Sequence, residues 1–530
     1  MFSNRENVNI LTALLVAHGV RHAVVCPGSR NAPIVHNLNE CAEIACHPVT
    51  DERSAAFFAL GIADATGERT AVCCTSGSAL LNFAPAAAEA YYRNVPIVFI
   101  SADRPTQWID QLDGQTMPQP DALGRFVRKA VTLPEPTDGE QRWHCNRLVN
   151  EALITDGPVH INVPISEPLF HFSTEHLPEQ RVVKKVTDEQ LLQLFLKAER
   201  PTIVVGQNDR GGSLLAPLKF LSRTVVVLGE SLSDSPVPFD LVLHRVHGTA
   251  LEPALRPDFV IHVGGTLVGK RLKKFLRATD APVCRIGSFS DTFMHLQWLA
   301  EPSTISLITK ELEQTPTPPS PFFQLWKEET AKAEQRIADF APPYSQLAAV
   351  KELESQLEET DYDYQLHYAN STAVRLSNLY SHGRVWCNRG INGIEGSLST
   401  AAGFSAASSE MVFCVIGDLS FFYDQNALWN RNLRGNLRIL LLNNGCGGIF
   451  RQLKGLAASA ARDELVAAAH ATKAQGICVQ NDCGYICAHN AQELQTGIQL
   501  LINSGTSRPM VLEVFTDPAE DARAMAALYE

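Results

Sequence analysis

MVFCVIGDLS at residues 411–420 and LRILLLNNGCGG at residues 437–448 decide the fold. Each segment begins with an apolar run of strand length and ends abruptly in small and polar residues. Two such runs, separated by sequence of helix length, are typical of neighbouring strands in a buried parallel sheet. Because open α/β sheets bind ligands beyond the carboxyl ends of their strands, Asp418 and Asn444 are predicted to lie at a binding edge.

Further apolar runs of the same kind recur along the chain. Their alternation with helical patterns predicts parallel sheets that are covered by helices on both faces. Polar or proline-rich sequence at 171–190 and 313–321 predicts linkers. We therefore predict an α/β fold with three doubly wound parallel-sheet domains, at about residues 1–180, 190–320 and 345–530. The other runs are HAVVC (22–26), TAVCC (70–74), PIVFIS (96–101), VHINV (159–163), PTIVVG (201–206), TVVVLG (224–229), FVIHVG (259–264) and PMVLEVF (509–515).

Composition restricts the class of protein. The 530 residues include 45 Lys and Arg and 57 Asp and Glu, which gives a formal net charge of −12. This balance argues against a nucleic-acid-binding protein, because a phosphate backbone would be repelled. An anionic small molecule can still bind, but only in a pocket of placed Arg and Lys side chains.

The 13 cysteines indicate a reducing compartment, since their number is odd and no CxxC pair occurs in this long chain. No signal-peptide pattern is visible, and no stretch reaches the about 18 apolar residues of a membrane span. We therefore expect a cytoplasmic protein without a membrane span. Cys478, Cys483 and Cys487 match no known motif and are interpreted as core cysteines.

The GD and NN pairs predict a site for a hard cation. Asp418 directly follows one apolar run, and Asn443 and Asn444 end the next. One carboxylate, one amide oxygen and a backbone carbonyl from the Gly-rich turn suit Mg²⁺, which keeps its other positions for phosphate oxygens and water. The NNGCGG loop also leaves backbone room for a diphosphate.

Strand ends in the first third predict anion-binding and acid–base groups. CPGSRNAP turns into a helix and places Arg30 at an anion-binding N-terminus, although a plain surface corner is the alternative. Glu52 is predicted to open a helix, where the helix dipole would stabilise its carboxylate even without a function. Arg104 follows another strand but could simply pair with Asp103.

Together these features resemble the thiamine-diphosphate enzymes of the pyruvate decarboxylase and acetolactate synthase type. Within that group, seven motifs in order resemble one family, the menaquinone-pathway 2-succinyl-5-enolpyruvyl-6-hydroxy-3-cyclohexene-1-carboxylate synthases. The resemblance covers the whole chain, and GDL replaces the GDG of the wider group. The motifs are CPGSRNAP, TDERSAAFFALG, TSGSALLNFAPA, SADRP, GKRL, CNRGINGIEG and GDLSFFYDQNAL.

The resemblance implies a transferase that decarboxylates 2-oxoglutarate and adds the succinyl carbanion to isochorismate. It implies thiamine diphosphate and Mg²⁺ as cofactors, with Mn²⁺ as a substitute, and a homodimer at minimum that further assembles into a homotetramer. Both substrates are dianions, which explains why an acidic protein needs strand-end arginines.

Two alternatives differ in what they require. An acetolactate synthase-like carboligase or another thiamine-diphosphate-dependent 2-oxo-acid decarboxylase needs no ring of arginines for a second dianion. A catalytically silent cofactor-binding α/β protein predicts the loss of Glu52, Asp418 or Asn444, yet all three are present. The synthase interpretation is therefore preferred.

The family's cofactor residues match positions in this chain. Glu52 resembles the glutamate that hydrogen-bonds the aminopyrimidine ring and tunes the base that removes the C2 proton. Asp418, Asn444 and the Cys446 carbonyl match the Mg²⁺ ligands. Ile394 matches the apolar residue that keeps the cofactor bent.

The family's residues for the succinyl group also match. Ser371 and Arg375 lie four positions apart, on one face of a helix that Asn370 is predicted to cap. By resemblance they hold the distal carboxylate of the succinyl group. Phe450 would supply an apolar wall near the reacting carbon.

Residues on the isochorismate side are implied by the same resemblance. Gly114 stands where the family has Asn, so one hydrogen bond there is missing or supplied elsewhere. GKRLKKFLR could alternatively be a solvated helix start. The matching residues are Ser29, Arg30, Arg104, Gln115, Lys270, Arg271 and Arg389.

Overall fold

The computed structural model describes residues 1–208, 214–233, 237–316 and 318–530. Within these ranges the chain forms three six-stranded sheets whose strand pairs are parallel, which confirms the predicted α/β class. It divides into two compact units, Met1–Val186 with Ser288–Leu299, and Thr187–Gly287 with Ala300–Glu530. The three predicted domain boundaries stay a prediction.

The first sheet comprises β1 (His22–Val25), β2 (Ala45–Pro48), β3 (Thr70–Cys74), β4 (Ile97–Asp103), β5 (Lys129–Thr132) and β6 (Val159–Pro164). Its strand order is β2-β1-β3-β4-β6-β5. Although all these strands are parallel, β2 is added on one side of β1 and β3 on the other, so the order of addition switches between β1 and β3. A second switch lies between β4 and β6. Such switches leave crevices at the carboxyl ends of the strands, where α/β sheets bind ligands.

The second sheet comprises β7 (Lys184–Lys185), β8 (Pro201–Val205), β9 (Val226–Gly229), β10 (Phe259–Val263), β11 (Val283–Ile286) and β12 (Leu296–Ala300). Its strand order is β7-β12-β11-β10-β8-β9. The third sheet comprises β13 (Tyr364–Tyr368), β14 (Val385–Trp386), β15 (Met411–Gly417), β16 (Leu437–Asn443), β17 (Gly484–Ala488) and β18 (Met510–Phe515). Its order, β14-β13-β15-β16-β18-β17, repeats that of the first sheet strand for strand.

The helices cover these sheets. Those of the first third are α1 (Glu6–Ala17), α2 (Ala32–Glu40), α3 (Glu52–Thr66), α4 (Ser78–Leu81), α5 (Ala84–Arg93) and α6 (Gly139–Ile154). Those of the middle are α7 (Asp188–Lys197), α8 (Leu215–Leu221), α9 (Phe239–Val246), α10 (Lys270–Arg277), α11 (Ser303–Gln314) and α12 (Pro321–Asp339). The last third has α13 (Gln346–Glu358), α14 (Thr372–Tyr380), α15 (Ser397–Ala407), α16 (Asp418–Tyr423), α17 (Gln475–Gln480), α18 (Ala491–Asn503) and α19 (Pro518–Tyr529).

The core of the first sheet shows why continuous apolar runs form its strands. All of β4 is buried. Val98 and Ile100 pack into one apolar cluster, whereas Ile97 and Phe99 pack into a second. Because successive side chains point to opposite faces, a strand that is covered on both faces must be apolar at every position. Each apolar run that the sequence analysis singled out accordingly contains a strand.

The structure has the cysteines free. Cys478 is buried and Cys483 is half-buried, but Cys487 is exposed. The interpretation as core cysteines is therefore wrong for Cys487, which lies on the edge strand β17 where one side has no neighbouring strand.

The Pro-rich segment 313–321 separates α11 from α12, and its residue 317 lies outside the described residues. The other predicted linker, 171–190, contains β7 and the first residues of α7. In the part of the chain that the structure describes, no helix is both long and apolar enough to cross a membrane.

Candidate active site

The ends of β15 and β16 bring Asp418 and Asn444 together. The two strands pair in parallel up to Gly417 and Leu442, so the residues that follow lie side by side. The Cys446 backbone N–H donates to Oδ2 of Asp418 over 3.2 Å and to Oδ1 of Asn444 over 3.4 Å. Two side-chain oxygens thus converge on one turn, as the strand ends predict.

This cluster fits a hard cation. Burial raises the pKa of Asp418, and the Leu419 N–H, which lowers it, does not fully offset this effect. The negative charge of the carboxylate is therefore only partly compensated by its neighbours. Over the described ranges, no group of three or more His, Cys, Asp and Glu side chains could hold a metal ion. A cation beside Asp418 therefore depends on amide and carbonyl oxygens, and Asn444 Oδ1 and the Cys446 carbonyl are of the kind that Mg²⁺ accepts.

His470 is a neighbour that sequence reasoning missed. Its Nε2 lies 3.4 Å from Oδ2 of Asp418, and its ring packs edge-to-face against Phe422 at 5.4 Å. Its Nδ1 accepts the N–H of Thr472, which leaves the proton of the neutral ring on Nε2. That buried donor has no hydrogen-bond partner among the described residues. No motif surrounds His470, so the sequence offered no signal.

Asn370 holds the CNRGINGIEG loop. Its Nδ2 donates to the carbonyls of Asn388 (2.7 Å) and Gly393 (2.5 Å), and its Oδ1 accepts from Arg389 Nη1 at 3.1 Å. The prediction that Asn370 caps α14 is wrong. Ser371 occupies the N-cap position and no side chain caps that helix. The Asn370 Oδ1, the atom that would accept a helix N–H, accepts from Arg389 instead.

Ile394 lies in the same loop, between β14 and α15, and its side chain is 38% exposed. Its carbonyl accepts a hydrogen bond from Ser420 Oγ on α16. The loop is thereby tied to the segment that carries Asp418.

Arg375 and Arg389 share one electrostatic neighbourhood. Nη1 of Arg375 donates to the Ser371 carbonyl over 2.5 Å. Burial, and then the charge of Arg389, lowers the pKa of Arg375. Arg389 is itself buried, and its Nε has no hydrogen-bond partner among the described residues. Two desolvated cations with spare donors favour the binding of an anion.

Arg271 is already paired. Its guanidinium forms an ion pair with Asp240 and lies 4.8 Å from the ring centroid of Tyr529, whose hydroxyl donates to Asp240 over 2.9 Å. Lys270 is exposed at the start of α10. Arg271 is thus held by Asp240, whereas Lys270 forms no ion pair among the described residues.

Phe450 lies partly buried beside the turn after β16. A Cβ on Gly447 would come within 2.8 Å of its ring, so glycine is needed for the ring to close over the turn. The aromatic ring therefore forms one wall next to Cys446.

Arg30 and Arg104 lie at the carboxyl edge of the first sheet. Arg30 is 5% exposed and donates to the Ile165 carbonyl (2.8 Å) and to Glu167 (3.2 Å). Arg104 lies 3.9 Å from the same carboxylate and 3.5 Å from Asp113. Burial, and then the charge of Arg104, lowers the pKa of Arg30.

The alternative that Arg104 pairs with Asp103 is not what the structure shows. The Asp103 oxygens accept the backbone N–H of Arg104 and the amide of Asn162, each over 2.8 Å. Arg104 Nε is buried and lacks a hydrogen-bond partner within the described ranges. The guanidinium therefore retains a donor for another group.

Two further predicted residues lie in turns of this edge. Ser29 is exposed in the turn before α2. Gln115 adopts a φ of 57°, and its carbonyl oxygen would be 3.3 Å from a Cβ on Gly77. The neighbouring Gly114 is exposed, with open space where a side chain would begin. An Asn at position 114 would therefore fit, and its absence removes a polar group from this edge.

Glu52 opens α3, as predicted. The Asp51 carboxylate caps the helix by accepting the Ser54 N–H over 2.8 Å. The charge of Glu52 adds to burial in raising the pKa of the Cys26 thiol to about 12. Within the described ranges no hydrogen bond or ion pair holds the Glu52 carboxylate. The N-terminus of α3 is thus capped by Asp51, and the Glu52 carboxylate is not used for capping.

Comparison with known proteins places the chain among enzymes that use thiamine diphosphate. Residues 6–124 match the thiamine pyrophosphate enzyme N-terminal TPP-binding domain. A protein of Phocaeicola vulgatus is 41% identical over 559 residues, covering 100% of this chain and 99% of its own. A Bacteroides thetaiotaomicron protein is 41% identical over 562 residues, with 100% and 99% covered. A Porphyromonas gingivalis protein is 34% identical over 563 residues, with 100% and 97% covered.

Each of these relatives is a 2-succinyl-5-enolpyruvyl-6-hydroxy-3-cyclohexene-1-carboxylate synthase. The similarity spans the motifs of the first and last thirds alike. The chain belongs to this family of thiamine-diphosphate enzymes.

Proposed function

We propose that this protein decarboxylates 2-oxoglutarate and adds the succinyl unit to isochorismate. The products are 2-succinyl-5-enolpyruvyl-6-hydroxy-3-cyclohexene-1-carboxylate and CO₂, a step of menaquinone biosynthesis. The structural observation that carries the proposal is the convergence of the Asp418 and Asn444 oxygens on one turn. The identity of the two substrates is inferred from the family to which the chain belongs.

Asp418, Asn444 and the Cys446 carbonyl hold Mg²⁺, or Mn²⁺ in its place, and through it the cofactor diphosphate. The all-oxygen donor set and the burial of Asp418 support this assignment. Thiamine diphosphate, when bound, supplies the carbon nucleophile and accepts the electrons that decarboxylation releases. Ile394 would supply an apolar contact to the bound cofactor, from a loop that Ser420 ties to α16.

Glu52 would hydrogen-bond a ring nitrogen of the cofactor's aminopyrimidine and thereby favour its imino tautomer, whose exocyclic nitrogen is the base. Asp51 supports this role because it caps α3 and leaves the Glu52 carboxylate uncommitted. A hydrogen bond that tunes a base at the reacting carbon contributes to proton transfer without itself removing the proton.

Arg375 and Ser371 bind the distal carboxylate of 2-oxoglutarate, with Phe450 as the apolar wall. The lowered pKa of Arg375 reflects burial, so its pairing with a carboxylate is little screened by water. A fork of N–H donors also fixes the orientation of the carboxylate, which a Lys side chain would not do.

Ser29, Arg30, Arg104 and Gln115 bind isochorismate, as do Lys270, Arg271 and Arg389. Unsatisfied buried N–H groups on Arg104 and Arg389 support these assignments. Arg271 contributes least, since Asp240 already neutralises it. Gly114 supplies no side chain, so Gln115 provides the amide contact in this turn.

The assembly in the proposal is a cytoplasmic homodimer at minimum, which the family relation extends to a homotetramer. Phe57 and Phe58 on α3 are 43% and 49% exposed, which suits a helix that another subunit covers. The net charge of −12 supports small-molecule partners rather than nucleic acid.

The test is to incubate the purified protein with thiamine diphosphate, Mg²⁺ and 2-oxoglutarate, with and without isochorismate. CO₂ release and the mass of the ring product are followed together, and pyruvate replaces 2-oxoglutarate in a parallel reaction. Isochorismate-dependent formation of the succinyl adduct is the expected result. Decarboxylation of 2-oxoglutarate without an adduct would mean that the acceptor is a molecule other than isochorismate. Turnover of pyruvate but not of 2-oxoglutarate would favour the acetolactate synthase-like alternative.

A further inference from the structure

Asp521 contacts the candidate metal ligand Asn444 from a distant part of the chain. It lies on α19, 77 positions after Asn444, and its Oδ2 accepts the Asn444 Nδ2–H over 2.9 Å. The same carboxylate accepts the backbone N–H of Gln346 on Oδ1 (2.8 Å) and the hydroxyl of Thr516 on Oδ2 (2.9 Å). Asp521 is therefore the acceptor in each of these three hydrogen bonds.

We propose that Asp521 is a positioning residue that fixes which end of the Asn444 amide faces the metal. The inference rests on the proposed function, in which Asn444 Oδ1 is a Mg²⁺ ligand. The two ends of an Asn amide have nearly the same size and shape, so only hydrogen bonds determine its orientation. An ionised carboxylate accepts and never donates, and it therefore holds the NH₂ end on its own side.

The opposite end of the amide then faces Cys446, whose N–H also donates to Asp418. Oδ1 of Asn444 lies 3.4 Å from the Cys446 nitrogen and 3.8 Å from its Sγ. The reversed amide would present NH₂ to a cation that requires oxygen. Gly448 also makes room for this arrangement, because a Cβ there would lie 2.8 Å from Asn444 Nδ2.

Asp521 does not cap its helix, and α19 has other contacts besides those of Asp521. Asp517 caps α19 by accepting the N–H groups of Ala519 (2.8 Å) and Glu520 (3.0 Å). At the other end of α19, Arg336 donates to the carbonyl of Ala527 over 2.6 Å. The helix therefore keeps contacts at both ends when Asp521 is replaced.

The experiment measures Mn²⁺ affinity by electron paramagnetic resonance in the presence of thiamine diphosphate. Asp521→Asn keeps the side-chain size but replaces one acceptor with a donor. Because Gln346 N–H still needs an acceptor, the new NH₂ faces Asn444 and turns its amide around. We expect Mn²⁺ to bind about 10–100-fold more weakly, the usual loss when a group behind a metal ligand is changed.

Asp517→Asn is the matched control, since it alters the same helix without contacting Asn444. Its Mn²⁺ affinity should stay near that of the wild type. The double variant Asn444→Asp with Asp521→Asn is the rescue. A carboxylate at 444 presents oxygen at both ends, so most of the lost affinity should return, which a purely structural role of Asp521 would not produce.

Wild-type affinity in Asp521→Asn, an equal loss in Asp517→Asn, or no recovery in the double variant would each overturn the inference. Asp521→Ala is expected to lose affinity as well; if it does not fold, the isosteric variant and its rescue decide alone. Wild-type protein that binds Mn²⁺ and cofactor but does not decarboxylate 2-oxoglutarate would overturn the proposed function and leave the role of Asp521 intact.

Discussion

The first and third sheets share one strand order but carry different chemistry at their carboxyl ends. TSGS follows β3, whereas DLS follows β15 at the same place in the order. Asp103-Arg104 ends β4, and Asn443-Asn444 ends β16. The first edge thus offers cations and the third offers oxygen ligands. The shared order decides where binding groups lie, and the residues decide what they bind.

Beneath both edges lies a buried polar network. In the first sheet, Asn162 accepts from Ser101 and Gln119 and donates to Asp103, each over 2.8 Å. In the third, Glu513 accepts from Asn443 and Tyr485, each over 2.7 Å. An amide can donate and accept, whereas a carboxylate only accepts. The two networks therefore stiffen equivalent strand ends by different means.

Glu52 and Ile394 occupy corresponding places in the first and third sheets. Glu52 opens the helix that follows the second strand of its sheet, and Ile394 lies just before the corresponding helix. Glu52→Gln should retain cofactor binding but slow proton exchange at the cofactor C2 by about 10²–10⁴-fold, the usual contribution of acid–base tuning. Exchange into D₂O, followed by nuclear magnetic resonance, is the measurement. Glu68→Gln, just beyond the same helix, is the control. Wild-type exchange in Glu52→Gln would remove the assigned role.

Glu513 allows the third network to be broken. Glu513→Leu removes the acceptor of the Tyr485 hydroxyl and of the Ala474 N–H, and it leaves Asn443 Nδ2 with only the Thr472 carbonyl. The free energy of unfolding should fall by about 3–5 kcal/mol, because several buried donors become unsatisfied. Urea denaturation followed by circular dichroism measures the change. Glu513→Gln retains an acceptor and should lose less; equal losses would show that packing, not hydrogen bonding, stabilises this edge.

Arg375 tests whether the third sheet also binds an anion. Arg375→Ala should raise the KM for 2-oxoglutarate about 10–100-fold, since a charge-assisted hydrogen bond contributes about 1.5–3 kcal/mol. The KM for isochorismate should change little in the same steady-state assay. Arg375→Lys keeps the charge but loses the two parallel N–H donors of the guanidinium. Its KM for 2-oxoglutarate should lie between those of the wild type and of Arg375→Ala. An equal loss for both substrates would mean that the two substrate assignments are wrong.

The sequence predicted the central strands well and the sheet edges poorly. Buried strands such as β15 and β16 are apolar at nearly every position, so their runs stand out. The edge strands β7 and β14 have only two residues each. The internal strand β13 was also missed, because Gln365 and His367 interrupt its apolar pattern. A strand with polar positions or little length leaves no continuous run to detect.

The candidate site was predictable for a related reason. Asp418, Asn444 and Arg104 follow apolar runs directly, so the strand ends locate them without tertiary information. His470 and Asp521 reach the same cluster from segments without a motif. Only the folded chain shows that these two side chains contact the predicted ligands.

The smallest expected effect concerns the buried histidines of the two sheets. Burial lowers the pKa of His160 in β6 to about 4, and that of His367 in β13 also to about 4. An unfolded histidine titrates near 6.5, so between these values the unfolded chain binds more protons than the folded one. Each residue therefore costs stability as the pH falls from about 6.5 to about 4, by about 1 kcal/mol at pH 5.5.

His160→Gln should flatten this pH dependence by about 1 kcal/mol between pH 7.5 and 5.5, and His367→Gln should do the same in the third sheet. Urea denaturation at both pH values measures the difference within each variant, so a constant loss from the substitution itself cancels. His176→Gln is the control, since that histidine is exposed. A pH dependence that is unchanged in His160→Gln but flattened in His367→Gln would show that Ser101, 2.8 Å from His160 Nε2, stabilises the protonated ring of the first sheet alone.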